Sequence, residues 1–186
     1  MDAGQKLKLR AVPDLGTRSL AAVHHRGDSI EWTTLRVRKD AREPALPESR
    51  TLPAPATDPE AAPEVVAAAL RPMLAGVRGE VTLTLPADQA LLRIVELPTG
   101  DASELPGMVE LQIDRFSPFP IEHLVVAYEI LESGEDRTRL LIAAVQRDRI
   151  DREAAILTAA GLAVRRVDLD ARGWWHHLRA SGASPA

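Results

Sequence analysis

A mixed fold of the α+β (α/β mixed) class is predicted by three features of the sequence. Runs of strict alternation, clearest in "EVTLTLP", put Val81, Leu83 and Leu85 on one face and Glu80, Thr82 and Thr84 on the other, the period of a half-buried strand. Between such runs lie segments of helical period: in "ASELPGMVELQIDRF", Leu105, Val109, Ile113 and Phe116 recur at intervals of four, four and three. Proline and glycine clusters separate the two kinds of segment. With 186 residues the chain suffices for one ordinary domain, or for two small ones sharing a core.

In chain order, residues 7–12 and 17–24 are short β-compatible runs. The turn in "HRGDSIEW" precedes an alternating run in which Ile30, Trp32, Thr34 and Arg36 oppose Glu31, Thr33, Leu35 and Val37, predicting an N-terminal hairpin or meander. Residues 41–63 hold six of the 14 prolines, which rules out a central strand or an unbroken helix and predicts a loop or linker. "PEVVAAALRPMLAG" reads as a helix with Pro63 near its start and Gly76 at its end, Pro72 bending or shortening the last turn. The strand at 80–85 follows, then the turn "PADQA" and a second strand, "LLRIVEL", stopped by Pro98 and Gly100.

Asp101 with Glu104 is a capping-box-like start to the helix that ends near Phe116. "HLVVAYEIL" and "TRLLIAAV" predict a hairpin across "ESGEDR", where Gly134 permits a left-handed backbone. "RDRIDREAAILTAAG" is helical, with Ile150, Ala154 and Leu157 in register and Gly161 as its stop. "LAVRRVDLD" closes the series as a strand.

Composition narrows the function. Aromatic residues make up only 3% of the chain, so Leu, Val, Ile and Ala must fill the interior. A formal charge of -4 offers no broad positive field for phosphate backbones, and no nucleic-acid partner is expected. Cysteine is absent, which removes disulfides, thiolate metal sites and cysteine nucleophiles together and fits a reducing compartment. Neither a secretory h-region nor an apolar run long enough for a membrane span is present, so a soluble, cytoplasmic piece is expected.

The stretch "RFSPFPIEHLVVAYEIL" places two prolines and the chain's only two phenylalanines, Phe116 and Phe119, between a helix and a strand. Pro118 and Pro120 bias Ser117 and Phe119 towards extended geometry, so the helix has to stop there. A stiff corner with an aromatic plug is one reading. A partly exposed ridge to which another protein docks, formed by Phe116, Pro118, Phe119 and Pro120, is the other. Both hold if one phenylalanine turns inward and the other outward.

From Leu97 to Asp168 the order of segments, with Arg115, Phe116, Pro118, Phe119, Pro120, Glu122, Gly161 and Leu162 at matching places, resembles the PilM and GspL family of type IV pilus and type II secretion assembly proteins, actin-like relatives of the division protein FtsA. "PDLGTRSLAAV" at 13–23 looks like a worn form of that family's start. The resemblance implies a partial actin-like (ribonuclease H-like) subdomain carrying a strand-helix-strand-strand insert. Its expected division is 1–87 for the N-terminal part of that subdomain, 88–162 for the insert, and 163–186 for a returning strand or helix and tail.

Actin-like ATPases hold nucleotide between two halves, and only the first phosphate hairpin has a candidate here, at Asp14, Gly16 and Thr17. Where the family carries lysine this chain has Ala21, so the hairpin reads as degenerate, a turn kept for folding. The pairs His24-His25 and His176-His177 do not converge on one metal, since neighbours in a strand face opposite ways. Asp148, Asp151 and Glu153, interleaved with arginines, read as a solvated helix face. No catalytic residue, cofactor or metal is nominated.

The expected function is that of a non-catalytic scaffold of an inner-membrane assembly platform. What the resemblance implies for partners is a PilN-like or GspM-like membrane protein, the assembly ATPase, and a possible homodimer. Contact surfaces are expected at the Pro-Phe corner and at the free edge of the insert's sheet. Membrane attachment would come through a partner or through a downstream anchor, towards which Trp174 and Trp175 point unless they cap a core. The rival readings are the first half of a nucleotide-binding actin-like ATPase, and a small-ligand sensor for which no polar cluster speaks.

Overall fold

The computed structural model describes residues 18–26, 28–37, 48–54, 58 and 60–171. In chain order the elements are β1 (Arg18–His25), β2 (Ser29–Val37), β3 (Glu48–Pro53), α1 (Pro63–Leu70), β4 (Glu80–Leu85), β5 (Leu91–Leu97), α2 (Leu105–Phe116), β6 (Leu124–Ser133), β7 (Thr138–Gln146), α3 (Arg147–Ala159) and β8 (Ala163–Leu169). Two compact units form, one holding Asp88–Arg149, the other the described residues of Val12–Ala87 together with Ile150–Ala186.

The second of these is built on a five-stranded sheet in the order β3-β2-β1-β4-β8. β1, β2 and β3 form an antiparallel meander, while β1, β4 and β8 run parallel. The alternation of β4 works as expected, with Val81, Leu83 and Leu85 buried. Trp32, also buried, donates its indole N–H to the Met73 carbonyl at 3.1 Å. Its ring lies where a Cβ on Gly76 would come within 2.8 Å, so the glycine expected as a helix stop makes room for the indole. α1 ends at Leu70, two residues before Pro72.

Residues 41–63 were expected to be loop, yet 48–53 pair with β2. Proline is tolerated there because β3 is the outermost strand, with mostly exposed side chains and Pro53 at its end. In α3 the buried positions are Glu153, Ile156 and Leu157, whereas Ile150 and Ala154 are only half-buried. The helix is rotated from its expected register because a glutamate, not an alanine, turns inward.

The unit Asp88–Arg149 is a three-stranded antiparallel sheet, order β5-β7-β6, with α2 packed on one face. Leu105, Val109 and Ile113 of α2 meet Leu97, Leu124, Leu140, Ile142 and Ala144 in a single apolar core. The hairpin between β6 and β7 forms as expected, but its glycine does not take a left-handed backbone; among described residues positive φ occurs at Gly79 and Gly161. Asp101 does not cap α2, because Glu104 already has helical dihedrals at the N-cap position and Leu105 is the first helical residue. The Asp101 carboxylate instead accepts the Ser103 N–H, which holds its pKa below the ordinary value.

Thr99 organises this entry to the helix. Its hydroxyl donates to Glu104 Oε2 and accepts from the Asp101 N–H, and its carbonyl accepts from the buried Thr138 hydroxyl at 2.7 Å. This compact unit ends at Arg149, within α3. The rest of α3 is held by the other sheet, with Glu153 bonded to His25 on β1 and Arg152 donating to the Ala61 carbonyl.

Candidate partner-binding site

α2 stops because Ser117 leaves the helical region (φ -86, ψ 133) while its N–H still bonds the Ile113 carbonyl. The Ser117 hydroxyl then clamps the next turn, accepting from the Phe119 N–H at 3.0 Å and donating to the Phe119 carbonyl at 2.9 Å. Pro120 (φ -56, ψ 144) leads into a 3-10 turn over Ile121–His123, and β6 begins at Leu124. Two fixed proline φ angles and a doubly bonded hydroxyl leave this corner little freedom.

The two phenylalanines divide the work. Phe116 packs against the core of its unit beside Ile121. Phe119 is 46% exposed, and Pro118 and Pro120 on either side of it are exposed too. Plug and ridge are therefore different residues of the one corner.

Beside Phe119 opens a cleft of about 390 Å³, walled by Pro118, Phe119, Leu91, Leu124 and Ala144. Asp88, Gln89, Ser117, Gln146 and Arg149 supply its polar lining. Gln89 borders the cleft, and its Oε1 is shut off from solvent with no hydrogen-bond partner among the described residues. Sequence reasoning passed over Gln89 as part of the turn "PADQA"; nothing in its neighbours signals that its amide is buried.

The expected sheet edges are β5 and β6, since β7 lies between them. β6 carries a register shift between Ile130 and Glu132, the kind of irregularity that blunts an edge, whereas β5 pairs with β7 without interruption and leaves Ile94 56% exposed.

Other candidates separate. Asp14, Gly16 and Thr17 lie outside the described residues, as do Trp174, Trp175, His176 and His177. His24 and His25 do face opposite ways: His25 is buried with Nδ1 3.0 Å from Glu153 Oε2, while His24 Nε2 accepts from Arg26 Nε at 3.1 Å. Burial first, and then the Arg26 guanidinium, lowers the His24 pKa. Glu153 is thus no part of a solvated face, while Asp148 and Asp151 are exposed.

At the same end of the sheet Arg26 Nη2 pairs with Asp170 Oδ2 at 3.0 Å, and Asp170 Oδ1 accepts the Ala87 N–H. One carboxylate so ties the ends of β1, β4 and β8. Among the described residues no three His, Asp or Glu stand close enough to share a metal ion, and no helix is long and apolar enough to cross a membrane.

A half-sheet in the order β3-β2-β1-β4-β8, interrupted after β4 by a strand-helix-strand-strand insert, is a partial actin-like fold. The family model described as type IV pilus assembly protein PilM matches residues 14–176, and the chain belongs to that family. Among solved structures, the PilM-PilN type IV pilus biogenesis complex aligns with a TM-score of 0.69 at 20% identity, over 87% of this chain and 50% of that one. The cytoplasmic domain of EpsL, an inner-membrane component of the Vibrio cholerae type II secretion system, aligns with a TM-score of 0.54 at 19% identity, over 82% of this chain and 58% of that one. The likeness to both is one of fold, and this chain spans between 50% and 58% of their lengths.

Proposed function

We propose that this chain is a non-catalytic scaffold domain of a type IV pilus or type II secretion assembly platform, acting at the cytoplasmic face of the inner membrane. Its chemistry is binding: it holds a short cytoplasmic segment of a PilN-like or GspM-like membrane protein, or contacts the assembly ATPase. The observation that carries this reading is the corner, where Phe119 stands half-exposed between two exposed prolines on a backbone fixed by Ser117. A rigid aromatic contact loses little entropy on binding. The adjoining cleft offers an apolar wall beside polar side chains, which suits an extended segment presenting an apolar side chain. Phe116 supports the ridge from inside, and Pro118, Phe119 and Pro120 make the contact.

The test is calorimetric titration of the full chain with a peptide covering the cytoplasmic segment of the PilN-like protein of the same organism, and separately with Mg-ATP. Saturable peptide binding that weakens in Phe119→Ala supports the scaffold. Peptide binding indifferent to Phe119, or tight Mg-ATP binding accompanied by hydrolysis, overturns it.

A further inference from the structure

We propose that a cleft beyond the ends of α1 and α3 binds a phosphate group, carried either by a lipid headgroup or by a soluble phosphate ester. The cleft belongs to the unit built on the five-stranded sheet and measures about 510 Å³. Such a volume falls in the roughly 300–1,000 Å³ range of small-molecule sites. Arg71, directly after the last residue of α1, and Arg78, two residues before β4, line it together. The buried Leu74, Val77 and Leu162 give it an apolar wall, and among the described residues no carboxylate lines it.

Several exposed arginines of this chain stand beside carboxylates at 3.0 to 3.9 Å: Arg26 by Asp170, Arg50 by Glu48, Arg137 by Glu96, Arg139 by Glu132 and Arg165 by Glu80. The two in the cleft do not. Arg71 donates to a neutral acceptor, the Ala159 carbonyl at the end of α3, at 3.0 Å, and among the described residues no hydrogen bond or ion pair engages Arg78. The partial negative charge of the helix end holds the Arg71 guanidinium in place and occupies only one of its N–H donors. A capping arginine and a solvated arginine are each ordinary. Both on one apolar concavity, without an acid, in a chain where 27 acids outnumber 23 bases, call for an anion from outside.

The donors select the anion. One guanidinium fork fills both oxygens of a carboxylate, whereas a phosphate keeps oxygens for a second fork. Apolar walls thin the water around the charges, so the contact is stronger than the same contact in open solvent. Gly79 and Gly161 leave the rim without side chains, since a Cβ on either would meet no atom within 4 Å, and the volume beyond the phosphate takes the organic body that carries it. The Phe119 corner lies in the other compact unit, so failure of this site would leave the reading of the corner untouched.

Two-dimensional NMR of the isotope-labelled full chain, titrated with inorganic phosphate and with glycerol phosphate, tests the site against sodium chloride of equal ionic strength. Saturable shifts at the Arg78, Gly79 and Gly161 amides, absent from the chloride control, are expected with a dissociation constant on the order of 1 mM. Flotation with phosphatidylglycerol vesicles, and with phosphatidylcholine vesicles beside them, separates the sources: capture by the anionic vesicles assigns the phosphate to a lipid, and NMR binding without capture assigns it to a soluble ester. Arg78→Gln should weaken binding about tenfold at an unchanged melting temperature, because it has no partner in the chain to lose. Arg71→Gln should weaken it as much and melt lower, because the Ala159 carbonyl loses its donor. A chain that shows neither saturable shifts nor capture, or whose binding is indifferent to Arg78→Gln, overturns the proposal.

Discussion

Replacing Phe119 and Phe116 by alanine, one at a time, separates the ridge from the plug. Phe119 is 46% exposed, so of the roughly 200 Å² that a phenylalanine can bury about 90 Å² is available to a partner. At about 25 cal/mol per Å² that is worth roughly 2.3 kcal/mol, or about fifty-fold in the dissociation constant. Only the part of the ring already covered is lost to folding. Phe119→Ala should therefore cost about 1–2 kcal/mol of stability, a fall of about 5 °C in a chain of this size. Phe116, partly buried against the core of its unit, should lose more on truncation, about 2–4 kcal/mol or roughly 10 °C. Melting by circular dichroism and titration with the partner segment read the two effects independently. The reasoning fails if Phe119→Ala binds within about twofold of wild type, or destabilises as much as Phe116→Ala.

Three further perturbations follow from the geometry. Gly100→Ala would drive a Cβ into the backbone carbonyls of Gly134 and Glu135, neither of which can swing aside; a loss of about 3 kcal/mol, with faster hydrogen exchange in the β6–β7 hairpin, is expected, and an unchanged exchange pattern would refute it. Glu153→Ala would leave the buried His25 ring without its carboxylate, costing about 1–3 kcal/mol by chemical denaturation; a midpoint identical to wild type would show that water replaces the partner. For His24 the folded pKa lies below its ordinary 6.5, so the unfolded chain binds the extra proton first. Its contribution is fully present above that pH and is lost as pH falls through the lowered folded value; urea unfolding should show the decline in wild type and a flatter profile in His24→Asn, and identical profiles would refute the assignment.

The sequence was readable where one face of an element is buried and the other wet. β4, the β6–β7 hairpin and the apolar stripe of α2 have that simple pattern, and Pro118 and Pro120 announce the end of α2 by local sterics alone. It was misleading where tertiary pairing overrides local preference. Glu153 sits in a run of alternating charges that reads as solvent-facing, and its burial is matched by a partner that no local pattern reveals, His25, 128 residues away. β3 hides in a proline-rich stretch because an edge strand needs hydrogen bonds on one side only. At the site, Phe119 and the prolines were visible and Gln89 was not, since an unpaired buried acceptor is a property of the cleft around it and leaves no trace in neighbouring residues.

α2 and the corner that follows it have separable features, and the separation can be measured. The helix's inner face, through Val109 and Ile113, holds the insert's sheet. The corner after its last residue presents Phe119. Independent sites add in free energy, whereas sites sharing a backbone shift do not. Ile113→Val lies on the buried face and should cost about 1 kcal/mol of stability. Combined with Phe119→Ala, it should leave the change in partner affinity of the single Phe119 variant intact to within about 0.5 kcal/mol, because the corner is fixed by Ser117 and two prolines rather than by the tightness of the core beneath it. A larger coupling would mean that the corner's rigidity is borrowed from the packing of α2, and that the partner reads the whole insert rather than its projecting ring.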